Sequence, residues 1–202
     1  MSRSIDKIMY INLEKRTDRK EEIEKELQDK NLHFERFPAI QTAQGCIGCS
    51  LSHLQVLKLA KEKGYSNILI LEDDFMFVVD KAELESNLEH FFSLQLPYDV
   101  CMLSYNMQQS EPIPDSTYVG KVLEAQTASG YIVHSRYYDT LIQLWESSVI
   151  SLEQTGQHWI YALDQIWKYL QRKDNWYYFT KRLGKQRPSW SDLGNSFADY
   201  DC

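Results

Sequence analysis

The sequence has no apolar run approaching the ~20 residues that cross a bilayer, so no helical membrane span is expected. Cysteine is scarce: Cys46, Cys49, Cys101 and Cys202 are too few and too scattered for a disulfide framework. That scarcity points to a reducing, cytoplasmic setting. Positive charge is also in deficit, with 22 Lys and Arg against 29 Asp and Glu and a formal net charge of -7. A general nucleic-acid binder needs a basic face, so nucleic acid is not an expected partner. A small phosphorylated ligand stays open, because a bound metal reverses the local sign. Met1 to Leu13 carries charges throughout and has no apolar core before a small-residue cleavage site, so no signal peptide is expected there. There is no internal repeat and no low-complexity segment.

What is present suits a folded chain. With 202 residues, 43% hydrophobic and 25% charged, one domain over 1–202 can bury a substantial core. The aromatic fraction of 13% is high. It is compatible with stacking on a sugar or a base, although most of these rings are expected in the core.

The chain is organised around Asn67 to Val79. Ile68 to Leu71 form a short apolar run, and Glu72, Asp73 and Asp74 follow at once. The run predicts a central strand covered on both faces, with the acids emerging at its carboxyl end, where open α/β sheets place their ligands. Three adjacent carboxylates repel one another, and a hard cation such as Mg²⁺ or Mn²⁺ carrying phosphate oxygens would compensate them. A solvated acidic turn is the ordinary alternative. The apolar residues Phe75 to Val79 on the far side favour a site.

Other strands are predicted over Lys7–Leu13, His33–Phe37, Tyr98–Leu103, Tyr118–Leu123, Gly130–His134 and Asn175–Thr180. Helices are predicted over about Thr17–Asp29, Ile47–Lys63, Lys81–Phe92, Tyr137–Trp145 and His158–Leu170, with Gly64 as a C-cap. Arg16 and Arg19 sit where the first strand passes into the first helix, a place suited to an anion; surface pairing with Asp18, Glu21 or Glu22 is the equal alternative. Cys46, Cys49 and His53 have the spacing of half a zinc site, but no second ligand pair follows, and small packing residues are the preferred reading. Asn106–Ser116, polar and with Pro112 and Pro114, is a candidate flexible loop over the site. Asp164 interrupts an apolar helical pattern, either at the surface or in a cleft. The tail from Gly184 mixes basic, hydroxyl and aromatic groups without a helical period; it reads as a loose end or as a loop closing over a phosphate and a sugar. Alternating strands and helices with acids at a strand end predict an α/β sandwich.

The ordered set Tyr10-Ile-Asn-Leu-Glu-Lys-Arg16-Thr-Asp-Arg19, Gly48-Cys-Ser-Leu-Ser-His53-Leu, Leu69-Ile-Leu-Glu72-Asp73-Asp74, Ala162-Leu-Asp164-Gln and Gln186-Arg187-Pro188-Ser189-Trp190-Ser191-Asp192 resembles glycosyltransferase family 25. That family includes bacterial lipooligosaccharide galactosyltransferases and collagen hydroxylysine galactosyltransferases. The resemblance covers nearly the whole chain in the right order. It implies a GT-A-type nucleotide-sugar-binding αβα sandwich with a central, mostly parallel sheet. The implied reaction is inverting, divalent-metal-dependent transfer of galactose or glucose from a UDP-sugar to a hydroxyl on a glycan or a hydroxylysine-type protein acceptor.

By the same resemblance, Glu72 and Asp74 correspond to the cation-holding positions of the DxD motif, for Mn²⁺ or Mg²⁺, and Asp73 to a contact with the donor sugar or ribose. Asn12, Arg16, Arg19, Lys185 and Arg187 fall among the donor-binding positions, and Tyr131 falls where the donor pocket forms. Asp164 matches the position of the base that takes the acceptor proton, and His53 is expected to be structural. The chain is shorter than many family members, and Trp190 stands where tyrosine is more usual. A metal-dependent phosphohydrolase and a catalytically silent sugar-nucleotide-binding domain are the competing classes.

Overall fold

The structure is a computed structural model that describes residues 5–114, 116–191 and 196–202. Asp192, the last residue of the closing motif, lies outside the described residues, as do residues 1–4 and 115.

The strands are β1 (Lys7–Asn12), β2 (Glu35–Pro38), β3 (Asn67–Glu72), β4 (Phe75–Phe77), β5 (Val100–Met102), β6 (Asn106–Ile113), β7 (Ser116–Gln126), β8 (Gly130–His134), β9 (Trp176–Phe179), β10 (Gly184–Gln186), β11 (Ser189–Ser191) and β12 (Ser196–Ala198). The helices are α1 (Thr17–Asp29), α2 (Gly45–Lys63), α3 (Lys81–Ser93), α4 (Tyr138–Thr155), α5 (His158–Tyr161), α6 (Leu163–Ile166) and α7 (Lys168–Gln171).

The main sheet has the order β2-β1-β3-β8-β5-β9-β7-β6. Strands β1, β2, β3, β5, β6 and β9 run one way, and β7 and β8 run against them. Period-two alternation sends successive residues of β3 to opposite faces. Ile68 and Ile70 pack with Leu54, Val56 and Leu57 of α2 and with Leu141 and Trp145 of α4. Leu69 and Leu71 pack with Ile23 and Leu27 of α1 and with Leu84, Leu88 and Phe91 of α3. The sheet is therefore buried between two helical layers, as the Ile68–Leu71 run predicts. Gly64 ends α2 at φ +70°, its N–H bonding back to Ala60 and Lys61 carbonyls.

Three expectations need correction. The described residues of Asn106–Ser116 are not a loop over the site: β6 pairs antiparallel with β7 at the sheet edge, through a ladder with several register shifts. The helix begun near Tyr137 does not stop at Trp145 but runs to Thr155, and Gly156 ends it at φ +67°. Its last turns are rich in Ser and Thr, whose hydroxyls bond the carbonyl four residues back, Ser147 to Gln143 (3.1 Å) and Thr155 to Ser151 (2.7 Å). The helix expected over His158–Leu170 is instead three short pieces. Ala162 adopts an extended conformation (ψ 149°), and Trp159 and Ile160 are exposed rather than in the core.

The tail is tied down by pairing: β10 runs antiparallel to β4, with Gly184 opposite Phe77 and Gln186 opposite Phe75. The fully buried ring of Phe75 fills the space that side chains at Gly130 and Gly184 would need, since added Cβ atoms would come within 2.4 and 2.0 Å of it. The turn carrying Glu72, Asp73 and Asp74 is thereby clamped from both sides. Replacing Gly184 by Ala is expected to lower stability by about 1–3 kcal/mol through overpacking against that ring. Denaturant unfolding of the variant measures this.

Candidate active site

A cleft of about 280 Å³ opens at the carboxyl ends of β1 and β3. Its wall includes Arg19, Thr42, Cys49, His53, Glu72, Asp73, Asp74, Gln186, Arg187 and Tyr200. Motifs far apart in sequence thus meet in one place.

The three acids face different partners. Asp73 accepts from Asn12 Nδ2 (2.8 Å) and from Arg19 Nη1 (2.9 Å). Arg19 Nη1 also reaches Asp74 Oδ2 at 3.1 Å, so one guanidinium bridges both aspartates. Its Nη2 donates to Ser189 Oγ (2.7 Å) and to the Trp190 carbonyl (2.8 Å), which fastens the tail over the acids. Glu72 Oε1 lies 3.2 Å from His53 Nε2 and 3.6 Å from Cys49 Sγ.

Burial sets the electrostatics. It raises Asp73, with Arg19 opposing. Burial and then the Glu72 charge push the Asp74 carboxyl up to about 7. Burial also works against charge on Glu72, but the contacts from His53 and Cys49 outweigh it and hold that carboxyl below its ordinary value. Asp74 Oδ1 is buried and has no hydrogen-bond partner, and neither has Arg19 Nε. An orphaned carboxylate oxygen beside two further acids fits a hard cation.

The other site residues fall into two groups. Asn12 is buried and acts on the cleft through Asp73, its own Oδ1 accepting from Arg36 Nε (2.9 Å). Tyr131 has no exposed surface; its hydroxyl is 2.8 Å from His53 Nδ1, so it reaches the cleft only through that ring. Arg16 pairs with Asp18 at 2.7 Å, Lys185 with Asp201 at 3.0 Å, and Arg187 with Glu22 (3.3 Å) and Glu26 (2.9 Å). Of these three basic residues, Arg187 lines the cleft, while Arg16 and Lys185 are not among its wall residues.

Asp164 lies in the first turn of α6, just after the break at Ala162, and is not among the residues that line the cleft. Its Oδ2 accepts from Thr127 N–H at 3.1 Å, and burial raises its pKa, as does the charge of Glu72. Thr127 stands at φ 82°, in the tight link between β7 and β8, and its Oγ1 is 3.2 Å from the buried Cys202 Sγ. Thr127 carries no sequence signal of a role, whereas Gln186 opens the closing motif. Gln186 is placed by the β10–β4 pairing, and Thr127 by a turn that its residue type does not announce.

Residues 42–155, more than half of the chain, match the family model "Glycosyltransferase family 25 (LPS biosynthesis protein)". Among curated proteins, "Putative glycosyltransferase R655" of Acanthamoeba polyphaga mimivirus is 34% identical over 105 residues, 41% of this chain and 32% of that protein. "Glycosyltransferase 25 family member" of Drosophila melanogaster is 28% identical over 102 residues, 37% of this chain and 17% of that protein. The chain thus spans a third or less of these relatives. Among solved structures, a glycosyltransferase involved in the glycosylation of the major capsid of PBCV-1 shares the fold, with a TM-score of 0.51 at 14% identity. That match covers 91% of this chain and 82% of the other.

Proposed function

Because the chain belongs to glycosyltransferase family 25, we propose that it transfers a hexose, galactose or glucose, from a UDP-sugar to a hydroxyl of a glycan or protein acceptor, with inversion. The observation that carries this reading is the cleft itself. It joins buried acids, one with an orphaned oxygen, to arginines at the end of the central strands.

In a single displacement the acceptor oxygen attacks the anomeric carbon from the face opposite UDP. The new C–O bond forms as the bond to the phosphate oxygen breaks. The acceptor proton goes to Asp164, whose pKa burial raises. Thr127 N–H holds that carboxylate in place. Glu72 and Asp74 are the residues that would hold Mn²⁺ or Mg²⁺, and a bound cation supplies Lewis-acid stabilisation of the departing diphosphate. Asp73, kept in position by Asn12 and Arg19, is offered to the donor's sugar or ribose. Arg19 and Arg187, with Arg16 and Lys185 at the rim, meet the remaining phosphate charge.

Among the described residues no helix is long and apolar enough to cross a membrane, so the acceptor is met without a helical span from them. Titration calorimetry with UDP tests the nucleotide and the metal together. UDP is expected to bind in Mn²⁺ and to lose at least about ten-fold in affinity, or 1.4 kcal/mol, in EDTA. Equal affinity in both would remove the cation from the account.

A further inference from the structure

The sequence motif Cys46-Ile-Gly-Cys49-Ser-Leu-Ser-His53 looks like half a metal site that lacks its other half. The fold supplies a third ligand, and it is not the second cysteine. Cys46 turns toward Ile47, Val149 and Leu152, on the side of α2 that meets α4. Cys49 and His53, four residues apart on one face of α2, turn instead to the end of β3. There Cys49 Sγ, a His53 ring nitrogen and a Glu72 carboxylate oxygen all lie within 4.8 Å of one another. We propose that Cys49, His53 and Glu72 form a binding site for a thiophilic divalent cation of the zinc type, with its fourth position open to the cleft.

Two edges of the triangle match the ion, and the third, from Cys49 to His53, lies within 4.8 Å. Tetrahedral zinc sits about 2.1 Å from nitrogen and oxygen and about 2.3 Å from sulfur, which sets ligand separations of about 3.4 Å for N to O and about 3.6 Å for S to O. The observed separations are 3.2 Å from His53 Nε2 to Glu72 Oε1 and 3.6 Å from Cys49 Sγ to Glu72 Oε1. Little movement is needed to admit the ion.

The surroundings fit as well. A ligating imidazole needs its other nitrogen held, and His53 Nδ1 lies 2.8 Å from the buried Tyr131 hydroxyl. Two of the ligands stand on a helix of nineteen residues and the third ends a central strand, so the frame is rigid. The donor set of thiolate, imidazole and carboxylate selects zinc-like ions over Mg²⁺ or Mn²⁺, which prefer oxygen alone. Binding releases the Cys49 thiol proton to solvent and places the imidazole hydrogen on Nδ1, toward the Tyr131 oxygen. A zinc ion here also claims Glu72, so it competes with the hard cation assigned to Glu72 and Asp74. That last consequence rests on the proposed function; the site itself does not.

Cobalt is the probe, because Co²⁺ occupies zinc sites and shows sulfur ligation by its near-ultraviolet charge-transfer band. One equivalent of Co²⁺ added to the reduced protein is expected to produce that band, with the strong visible absorption of a four-coordinate ion, and one equivalent of Zn²⁺ to abolish both. Cys49→Ser keeps the size of the side chain and a hydroxyl for Glu72, so it is expected to fold, as circular dichroism will check, and to lose the band. Glu72→Gln is expected to lose the visible absorption at one equivalent. Cys46→Ser and Cys202→Ser are expected to keep both. No sulfur band in the wild type, a band that survives in Cys49→Ser, or one lost in Cys46→Ser would overturn the proposal. The readout is spectral and needs no turnover, so a failed donor assay leaves it standing and its failure leaves the donor assay untouched.

Discussion

Asp74→Ala is expected to lower sugar transfer by at least a hundred-fold, within the roughly 10²–10³ lost when one contact to developing charge is removed. Metal-dependent UDP binding should fall with it. The carboxyl is buried at the head of the β4 turn, one of its oxygens has no protein partner, and Arg19 spans it and Asp73. Removing it leaves Glu72 as the one remaining assigned cation ligand. The fold should survive, because the backbone contact at this residue, Arg187 N–H to the Asp74 carbonyl (2.6 Å), does not involve the side chain. Initial rates of the variant against wild type decide it, and full transfer by the variant would end the role assigned here.

Trp167→Ala is expected to cost about 3–5 kcal/mol of folding stability, the usual range for a fully buried indole. Its ring meets those of Trp176, Tyr131 and Trp145 at 5.1, 5.5 and 6.4 Å. Its Nε1–H donates to the Ala125 carbonyl at 3.2 Å, a bond the variant loses while that carbonyl keeps Gln171 Nε2 at 2.9 Å. The loss also reaches the cleft, since Tyr131 is the residue that steadies His53. Denaturant midpoints at unchanged m-value test this. A loss under about 1 kcal/mol would mean that the neighbouring rings close over the cavity.

The legible parts of the fold were those fixed by neighbours in sequence. The run Ile68–Leu71 with acids at its end, the glycine stop at Gly64 and the stripe Ile23/Leu27 each state a local preference that the packing agrees with. The break at Ala162 was hidden because the apolar pattern continues across it. It is anchored by tertiary bonds, from Ser148 Oγ to the Tyr161 carbonyl and from Thr127 N–H to Asp164. Strand β6 was hidden because an edge strand with mostly exposed residues has no apolar alternation to show. In the site, Asn12, Arg19, Asp73 and Asp74 come from separate motifs and meet in one bonded group, which the tertiary fold assembles. The link from Cys49 and His53 to Glu72 crosses from α2 to β3, and no spacing within the helix could reveal it.

The measurement that tests the central claim most directly is UDP release in Mn²⁺ from UDP-galactose, UDP-glucose and other UDP-sugars, run separately, with and without simple glycoside acceptors. The account predicts release from one hexose donor, lost in EDTA and in Asp74→Ala. The two favoured donors differ by one hydroxyl configuration, which a hydrogen-bonding pocket can read. No binding of UDP and no release from any donor would contradict it.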